Sequence, residues 1–208
     1  MTVWYNIAYF GENLKMAGRP KIFNEEQVLG QAVDLFWHNG YEATSTEDLL
    51  GRMKLNKGSL YHSFGNKKQL FVKAMDFFAA NALQALKGKI ASARTPMEGI
   101  RQFFLELADS DNDTHQKGCF MGNSLAELAN IDDELKQKAI QHLKDMEKLF
   151  LKYIRKAKQS RELTTKEEPE TLARYLLNLW NGINISRRIH PRKDLLEPVI
   201  RLQLAVLQ

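Results

Sequence analysis

Apolar residues recur at helical spacing along most of the chain. In the clearest run they fall at i, i+3, i+4, i+7, i+8 and i+11, at Leu172, Tyr175, Leu176, Leu179, Trp180 and Ile183. This is the period of one face of an α-helix. We find no sustained alternation of apolar and polar residues between hairpin turns, the pattern that indicates strands. The sequence therefore predicts an all-α protein of about nine helices.

The first third of the chain predicts three helices in close succession. A helix over about 25–39 follows Asn24, a short helix follows Ser45, and a third helix over about 57–64 follows Asn56. Asparagine and serine are preferred at the N-cap of a helix. Two short helices that follow a longer one have the proportions of a helix-turn-helix unit.

A long helix is predicted after Asn66, and helical periodicity continues to the end of the chain. The polar stretch 109–117 has the sequence DSDNDTHQK and predicts a loop. We divide the chain into an N-terminal extension (1–15), a helix-turn-helix domain (16–66) and a helical domain (67–208). The extension is either a segment from an upstream start or a poorly ordered tail, or a short segment that packs on its own domain or on a partner.

The composition excludes several classes of protein. Of the 208 residues 44% are apolar and 26% charged, which is ordinary for a globular protein. The single cysteine excludes an intrachain disulfide framework and a multi-cysteine zinc module. No stretch approaches the ~18 consecutive apolar residues of a membrane-spanning helix, and the N-terminus lacks a secretory signal. We therefore expect a cytoplasmic protein without a membrane partner.

The net charge of +5 permits an anionic partner without requiring one. The excess is concentrated between residues 52 and 68, where five residues are basic and none is acidic. The five are Arg52, Lys54, Lys57, Lys67 and Lys68. Neutralisation of phosphates by such a cluster supplies most of the non-specific affinity for DNA.

The third predicted helix has one apolar and one polar face. At 100° per residue Leu60 and Phe64 point in one direction, whereas the opposite face is small and polar. That face carries Gly58, Ser59, His62 and Ser63. Lys57 lies at the N-terminal end of the helix and Tyr61 on its flank. Small polar residues allow close approach to base edges in the major groove.

The strings GYEATS at 40–45 and LGRMKLNKGSLYHSFGNKKQL at 50–70 make the interpretation specific. They resemble the DNA-binding domain of the TetR/AcrR family of bacterial repressors, over about 23–71. The resemblance implies that Thr44, Tyr61 and Lys67 contact the phosphate backbone. It also implies a basic arm at 18–21 that reaches the minor groove. The complete set of expected DNA contacts is Arg19, Lys21, Thr44, Ser45, Lys57, Gly58, Ser59, Tyr61, His62, Ser63 and Lys67.

The resemblance further implies that the C-terminal domain binds a ligand and forms a homodimer through its last two helices. The apolar stripe at 172–183 is wider than one small domain needs to bury, which is consistent with an interface. We therefore predict dimer contacts at Leu172, Tyr175, Leu176, Leu179, Ile183, Leu195, Val199 and Leu202.

Cys119 follows Lys117 and Gly118 at the head of a predicted helix. A helix N-terminus and a nearby lysine both favour the thiolate. The resemblance implies a sensor of oxidants or electrophiles, since some repressors of the family carry a similar Gly-Cys-apolar string. The alternative is a small buried apolar residue. A metal site formed with His115 would be poor, because two ligands in a flexible segment hold a metal weakly.

The effector cavity is expected among the middle helices. Its candidate residues are Phe103, Cys119, Met121, Met146, Phe150, Trp180 and Asn184, although such stripes also occur in cores. A second basic group comprises Arg187, Arg188, Arg192 and Lys193. We interpret this group as a solvated helix end and loop, with contact to an anionic effector as the alternative.

No catalytic motif, cofactor-binding loop or metal-binding motif is present, so we expect neither an enzyme nor a cofactor. The sequence predicts a homodimeric transcriptional repressor. It would bind a pseudo-palindromic double-stranded operator and be released by a small-molecule or thiol-reactive effector. The rival interpretations are a helical sensor module that acts through Cys119, and a small-molecule enzyme built in the helical cavity.

Overall fold

A computed structural model describes residues 23–207, and this part of the chain is all-α. Arg19, Lys21 and the predicted extension 1–15 lie outside the described residues. The helices are α1 (Glu25–Asn39), α2 (Thr46–Met53), α3 (Lys57–Phe64), α4 (Lys67–Ser92), α5 (Pro96–Leu105), α6 (Asn112–Lys117), α7 (Phe120–Leu128), α8 (Asp133–Gln159), α9 (Pro169–Ile189) and α10 (Lys193–Leu204). A 3-10 helix covers Glu106–Asp109.

The predicted N-caps begin the helices of the N-terminal domain. Asn56 Oδ1 accepts a hydrogen bond from the Ser59 N–H at 2.8 Å, and α3 follows. Ser45 and Asp48 form a reciprocal capping box at the start of α2. These bonds occupy backbone donors that a helix start leaves without intrahelical partners. Local sequence therefore determines where the two helices of the helix-turn-helix begin.

The polar stretch 109–117 is helical over part of its length, so the predicted loop is wrong there. Asp111 caps α6 by accepting from the Thr114 N–H at 2.8 Å. Gly118, at φ +64°, ends α6 in a conformation that glycine adopts without strain. Thr114, His115 and Lys117 are buried. The helix forms because capping and tertiary contacts outweigh the polarity of the segment.

Helix α4 connects the two halves of the protein. Its N-terminal part packs against α1, and Phe71 on α4 meets Phe36 on α1 edge to face, with ring centroids 4.7 Å apart. Its remaining length packs against α5 and α8. Edge-to-face aromatic pairs stabilise a core beyond the area they bury. The predicted domain boundary at residue 66 coincides with the start of this shared helix, and it stays a prediction.

A carboxylate on α7 holds the turn between α1 and α2. Glu127 accepts hydrogen bonds from the backbone N–H groups of Tyr41 at 3.1 Å and Glu42 at 2.9 Å. The Lys117 ammonium, at the end of α6, pairs with Asp34 on α1 at 2.9 Å. Both contacts cross between the DNA-binding helices and the helices that follow α4. The orientation of the helix-turn-helix is therefore fixed by polar contacts as well as by α4.

Replacement of Glu127 by alanine removes the acceptor for two backbone donors. We expect Glu127→Ala to lower the free energy of unfolding by about 1–3 kcal/mol, because both N–H groups lose a charged partner. Gln137→Ala, on the exposed surface of α8, is the control and should change it by less than about 0.5 kcal/mol. Denaturant unfolding of both variants checks this, and equal stability of the two would contradict the role given to Glu127.

Candidate DNA-binding surface and effector cavity

Helix α3 presents the faces that the sequence predicts. Leu60 and Phe64 are buried against the other N-terminal helices. Four residues on the remaining surface are exposed, namely Lys57, Gly58, Tyr61 and His62, and Ser59 and Ser63 are half-buried. The side chain of Tyr61 is 44% exposed, which leaves its hydroxyl able to reach beyond the helix. The outer face of α3 is thus small, polar and without acidic residues.

Thr44 does not occupy the exposed position that the sequence predicts. Its side chain is buried, and Oγ1 donates a hydrogen bond to the Gly40 carbonyl at 2.6 Å. The hydroxyl closes the turn between α1 and α2 and is not available to a phosphate in this conformation. Ser45, the next residue, is exposed at the N-terminus of α2. The predicted phosphate contact of the Thr44 side chain is therefore wrong.

The ammonium of Lys67 lies beside the turn between α1 and α2. Its Nζ is 4.5 Å from the centre of the Tyr41 ring and donates to the Glu42 carbonyl at 3.3 Å. The electron-rich face of an aromatic ring attracts a cation without neutralising its charge. Lys67 therefore adds positive charge next to the N-terminus of α2, where backbone donors also favour an anion.

A cavity of about 50 Å³ lies among α4, α7, α8 and α9. Four of the predicted effector residues line it, namely Cys119, Met121, Met146 and Trp180. The other three are buried outside its wall. Phe103 stacks on Trp180 with centroids 5.4 Å apart, and Asn184 donates to the Trp180 carbonyl at 2.8 Å. Phe150 packs against Phe103. Helical spacing predicts that all seven residues are buried, but it does not distinguish those that line the cavity from those in the core behind it.

Cys119 is the N-cap residue of α7, at the head of the helix as predicted. Its Sγ accepts hydrogen bonds from the Trp180 indole N–H at 3.2 Å and from the Gly122 N–H at 3.3 Å. Burial nevertheless raises the pKa of the Cys119 thiol, while these donors and the charge of Arg187 oppose the rise. Burial therefore favours the thiol over the thiolate and fits the alternative of a small buried residue, and the sensor role of Cys119 stays a prediction.

The nearby lysine does not change this result. Lys117 Nζ forms ion pairs with Asp34 at 2.9 Å and Asp113 at 3.0 Å. These two ion pairs direct its charge to α1 and α6. A lysine that is close to a cysteine in sequence can thus be paired with carboxylates elsewhere in the fold.

The basic group at the end of α9 is only partly solvated. Arg187 is 1% exposed, and its Nη2 donates to the Gly118 carbonyl at 2.9 Å. Arg188 donates to the carbonyls of Gln116 at 2.9 Å and Lys117 at 2.8 Å. The interpretation as a solvated helix end is wrong for these two residues. The sequence does hold one signal of this burial, since Arg187 follows Ile183 by four residues on the same helix face.

The long apolar stripe of α9 faces inward. Four predicted dimer contacts are buried within the chain, namely Leu172, Leu176, Leu179 and Ile183. Their prediction as interface residues is wrong, because packing within one chain already covers them. Tyr175 is half-buried and donates its hydroxyl proton to the Gln203 carbonyl of α10.

A separate apolar surface is exposed along the end of α9 and along α10. Its six residues each expose about half of their surface or more. We call them the terminal apolar stripe, and they are Ile185, Ile189, Leu195, Val199, Leu202 and Val206. Leu195, Val199 and Leu202 are predicted dimer contacts. The other three residues are missed, because helical spacing does not show which apolar face of α9 is buried and which is exposed.

The described residues contain no group of three or more His, Cys, Asp or Glu side chains placed to hold a metal ion. No helix within 23–207 is long and apolar enough to cross a membrane.

Comparison with known proteins agrees with the helix-turn-helix fold. The family model described as bacterial regulatory proteins, tetR family, matches residues 28–74. The model described as tetracyclin repressor-like, C-terminal domain, matches residues 96–202. The HTH-type transcriptional regulator YezE of Bacillus subtilis is 29% identical over 192 residues, covering 91% of this chain and 99% of YezE.

Two solved structures share the fold. The reduced form of Escherichia coli NemR superposes with a TM-score of 0.79 at 20% identity, covering 88% of this chain and 96% of NemR. A cysteine mutant of the TetR-family regulator CifR, in complex with a 26-bp operator duplex, has a TM-score of 0.77 at 21% identity. The match covers 91% of this chain and all of that chain.

The fold and the two family models together identify a helix-turn-helix transcriptional regulator, a class of DNA-binding proteins that are not enzymes. The chain belongs to the tetR family of bacterial regulatory proteins.

The raised pKa of Cys119 predicts slow alkylation in the folded protein. An exposed cysteine ionises near pH 8.5, so its alkylation rate levels off above that pH. We expect the rate with iodoacetamide at pH 7 to be at least tenfold lower in the folded than in the urea-unfolded protein. In the folded protein the rate should still rise above pH 9. A plateau below pH 8.5 would instead indicate a stabilised thiolate; the single cysteine makes the measurement unambiguous.

Proposed function

We propose that this protein is a homodimeric transcriptional repressor that binds a pseudo-palindromic operator through α3. An effector that enters the cavity beside Cys119 releases it from the operator. The observation that carries the proposal is the outer face of α3, which is exposed, small and polar between a capped N-terminus and Tyr61. Such a face fits the major groove, where base edges are distinguished by hydrogen bonds.

The charges around this face support a division of roles. Lys57 and His62 project from α3 itself and are assigned to base edges or nearby phosphates, and Tyr61 to a phosphate. Lys67, beside the turn between α1 and α2, is assigned to the phosphate backbone. Ser59 and Ser63 lie where the helix would approach the bases. The CifR cysteine mutant is in complex with operator DNA, and this supports the same use of the shared fold.

The terminal apolar stripe supports a dimer. Its six exposed apolar residues lie on α9, on α10 and just after the end of α10, and α10 packs on α9. Monomeric proteins rarely expose a large contiguous apolar patch. A second copy of this chain with the same stripe would cover it in a two-fold arrangement. Two copies of α3 would then be presented to half-sites one DNA turn apart, about 34–36 Å.

The surroundings of Cys119 support an effector that reaches the sulfur. The thiol lines an apolar cavity, and its segment contacts both α1 and α9. A compound that binds the operator-bound and released conformations with different affinity shifts the balance between them. Coupling between such sites is typically about 1–3 kcal/mol. The reduced form of NemR and the substituted cysteines of CifR are consistent with thiol chemistry as a signal in this fold.

Selection of bound sequences from random duplexes tests the operator proposal. We expect an enriched two-fold motif. The Lys57→Ala variant should bind that motif more weakly by about 1–3 kcal/mol and should discriminate less between sequences. The Lys67→Ala variant should bind all sequences more weakly by the same factor, and the slope of log affinity against log salt concentration should fall by about one.

Lys152→Ala, at an exposed position of α8, is the control and should bind as the unaltered protein. Enrichment of no motif, with weak binding that disappears in modest salt, would refute sequence-specific recognition. A change in sequence preference caused by Lys67→Ala would overturn the phosphate assignment of that lysine.

Introduction of a charge into the terminal apolar stripe tests the dimer. Leu202 is 74% exposed and Ile131, outside the stripe, is 59% exposed. We expect Leu202→Glu to produce monomers at micromolar concentration, because the carboxylate would lose its hydration in the interface. Ile131→Glu should remain dimeric. Analytical ultracentrifugation measures both, and a dimeric Leu202→Glu variant with unchanged affinity would refute an interface at this position.

A further inference from the structure

The guanidinium of Arg187 is buried with only part of its hydrogen-bonding capacity used. Nη2 donates to the Gly118 carbonyl, whereas Nε and Nη1 are buried and make no hydrogen bond within residues 23–207. More than about 90% of buried polar groups in native proteins have a partner. The neighbouring Arg188 illustrates the rule, since it donates to two carbonyls and to Asn123 Oδ1. Arg187 therefore offers unused donors in the interior.

The acidic groups around Arg187 do not neutralise its charge. The groups that act on it electrostatically are Cys119, Arg188 and Asp111. The thiol is kept protonated by burial, Arg188 carries a like charge, and Asp111 is exposed at the N-terminus of α6. His115, which also lies within its field, is buried, and burial lowers the pKa of its imidazole. The site thus holds a buried positive charge without an anionic partner among the described residues.

Arg187 lines the cavity that also contains Cys119. The rest of the wall is mainly apolar and includes Trp37, Phe78, Leu86 and Met146. A water molecule needs about 10–15 Å³ of such volume. The cavity of about 50 Å³ therefore admits about three to five water-sized groups. A fitting ligand has a short apolar body and one anionic end.

We propose that the cavity binds a short-chain organic carboxylate, with its carboxylate on the unused Nε and Nη1 donors of Arg187 and its carbon chain against the apolar wall. Guanidinium groups match the geometry of carboxylates, and charge-assisted hydrogen bonds of this kind are strong. An inorganic anion would leave the apolar wall uncovered. This inference deepens the proposed function, because it names the chemical class of an effector for the same cavity.

Binding is tested on the DNA-free protein with propionate and its uncharged amide, propionamide. Calorimetry measures affinity, and protection of Cys119 from iodoacetamide reports occupancy of the cavity. We expect propionate to bind at least tenfold more tightly than propionamide and to slow alkylation of Cys119. Arg187→Met should weaken propionate binding at least tenfold and leave propionamide unchanged. Arg174→Met, at an exposed position of the same helix, is the matched control and should bind propionate normally.

Three results would overturn the inference. They are equal affinity for the acid and the amide, unchanged propionate binding by Arg187→Met, and full protection of Cys119 by sodium chloride alone at equal ionic strength. If Arg187→Met does not fold, the comparison of acid with amide on the unaltered protein decides the matter.

Operator binding is then measured separately with and without propionate. Arg187-dependent binding of propionate that leaves operator affinity unchanged would uphold the carboxylate site and refute the effector role of the cavity. Release of the operator by neutral thiol reagents, without selective binding of propionate, would uphold the proposed function and refute the carboxylate site.

Discussion

The backbone carbonyl of Lys117 accepts hydrogen bonds from three helices, α1, α7 and α9. It accepts hydrogen bonds from the Trp37 indole on α1 at 3.1 Å, from Asn123 on α7 at 2.8 Å and from Arg188 on α9 at 2.8 Å. A carbonyl oxygen has two lone pairs, and this one is shared among three donors. The peptide thus ties α1 of the N-terminal domain to α7 and α9 of the C-terminal domain. Cys119 stands two residues further along the chain.

The features that the sequence predicts are those that depend on neighbouring residues. Side-chain oxygens at Ser45 and Asn56 cap α2 and α3 because the backbone donors they satisfy lie within three residues. The two faces of α3 follow from the helical period, since Leu60 and Phe64 are buried while Tyr61 is exposed. The motif around these residues carries the resemblance to the TetR/AcrR family, and the two family models confirm it. Local chemistry thus determines both the helix-turn-helix and the position of its recognition face.

The features that the sequence does not predict depend on packing between distant segments. The family resemblance assigns Thr44 to DNA, yet its hydroxyl is used by the Gly40 carbonyl in the folded turn. The stripe of α9 is predicted to meet a partner, yet Leu176 and its neighbours are buried within the chain. Arg187 has the sequence context of a solvated cation, yet the fold buries it beside Cys119. A helical period identifies a face, but only tertiary structure identifies what that face meets.

The length of α4 has a mechanical consequence. It contains 26 residues and is therefore about 39 Å long; its N-terminal end directly follows α3, and its middle, from Phe78 to Leu86, lines the cavity. The N-terminal end lies 19 residues, or about 28 Å, from Leu86, so a rotation of about 5° about Leu86 would move that end by about 2.5 Å. In the proposed two-fold dimer, the same rotation in both copies would change the separation of the two α3 helices by up to about 5 Å. That distance is about one and a half base-pair steps of duplex DNA.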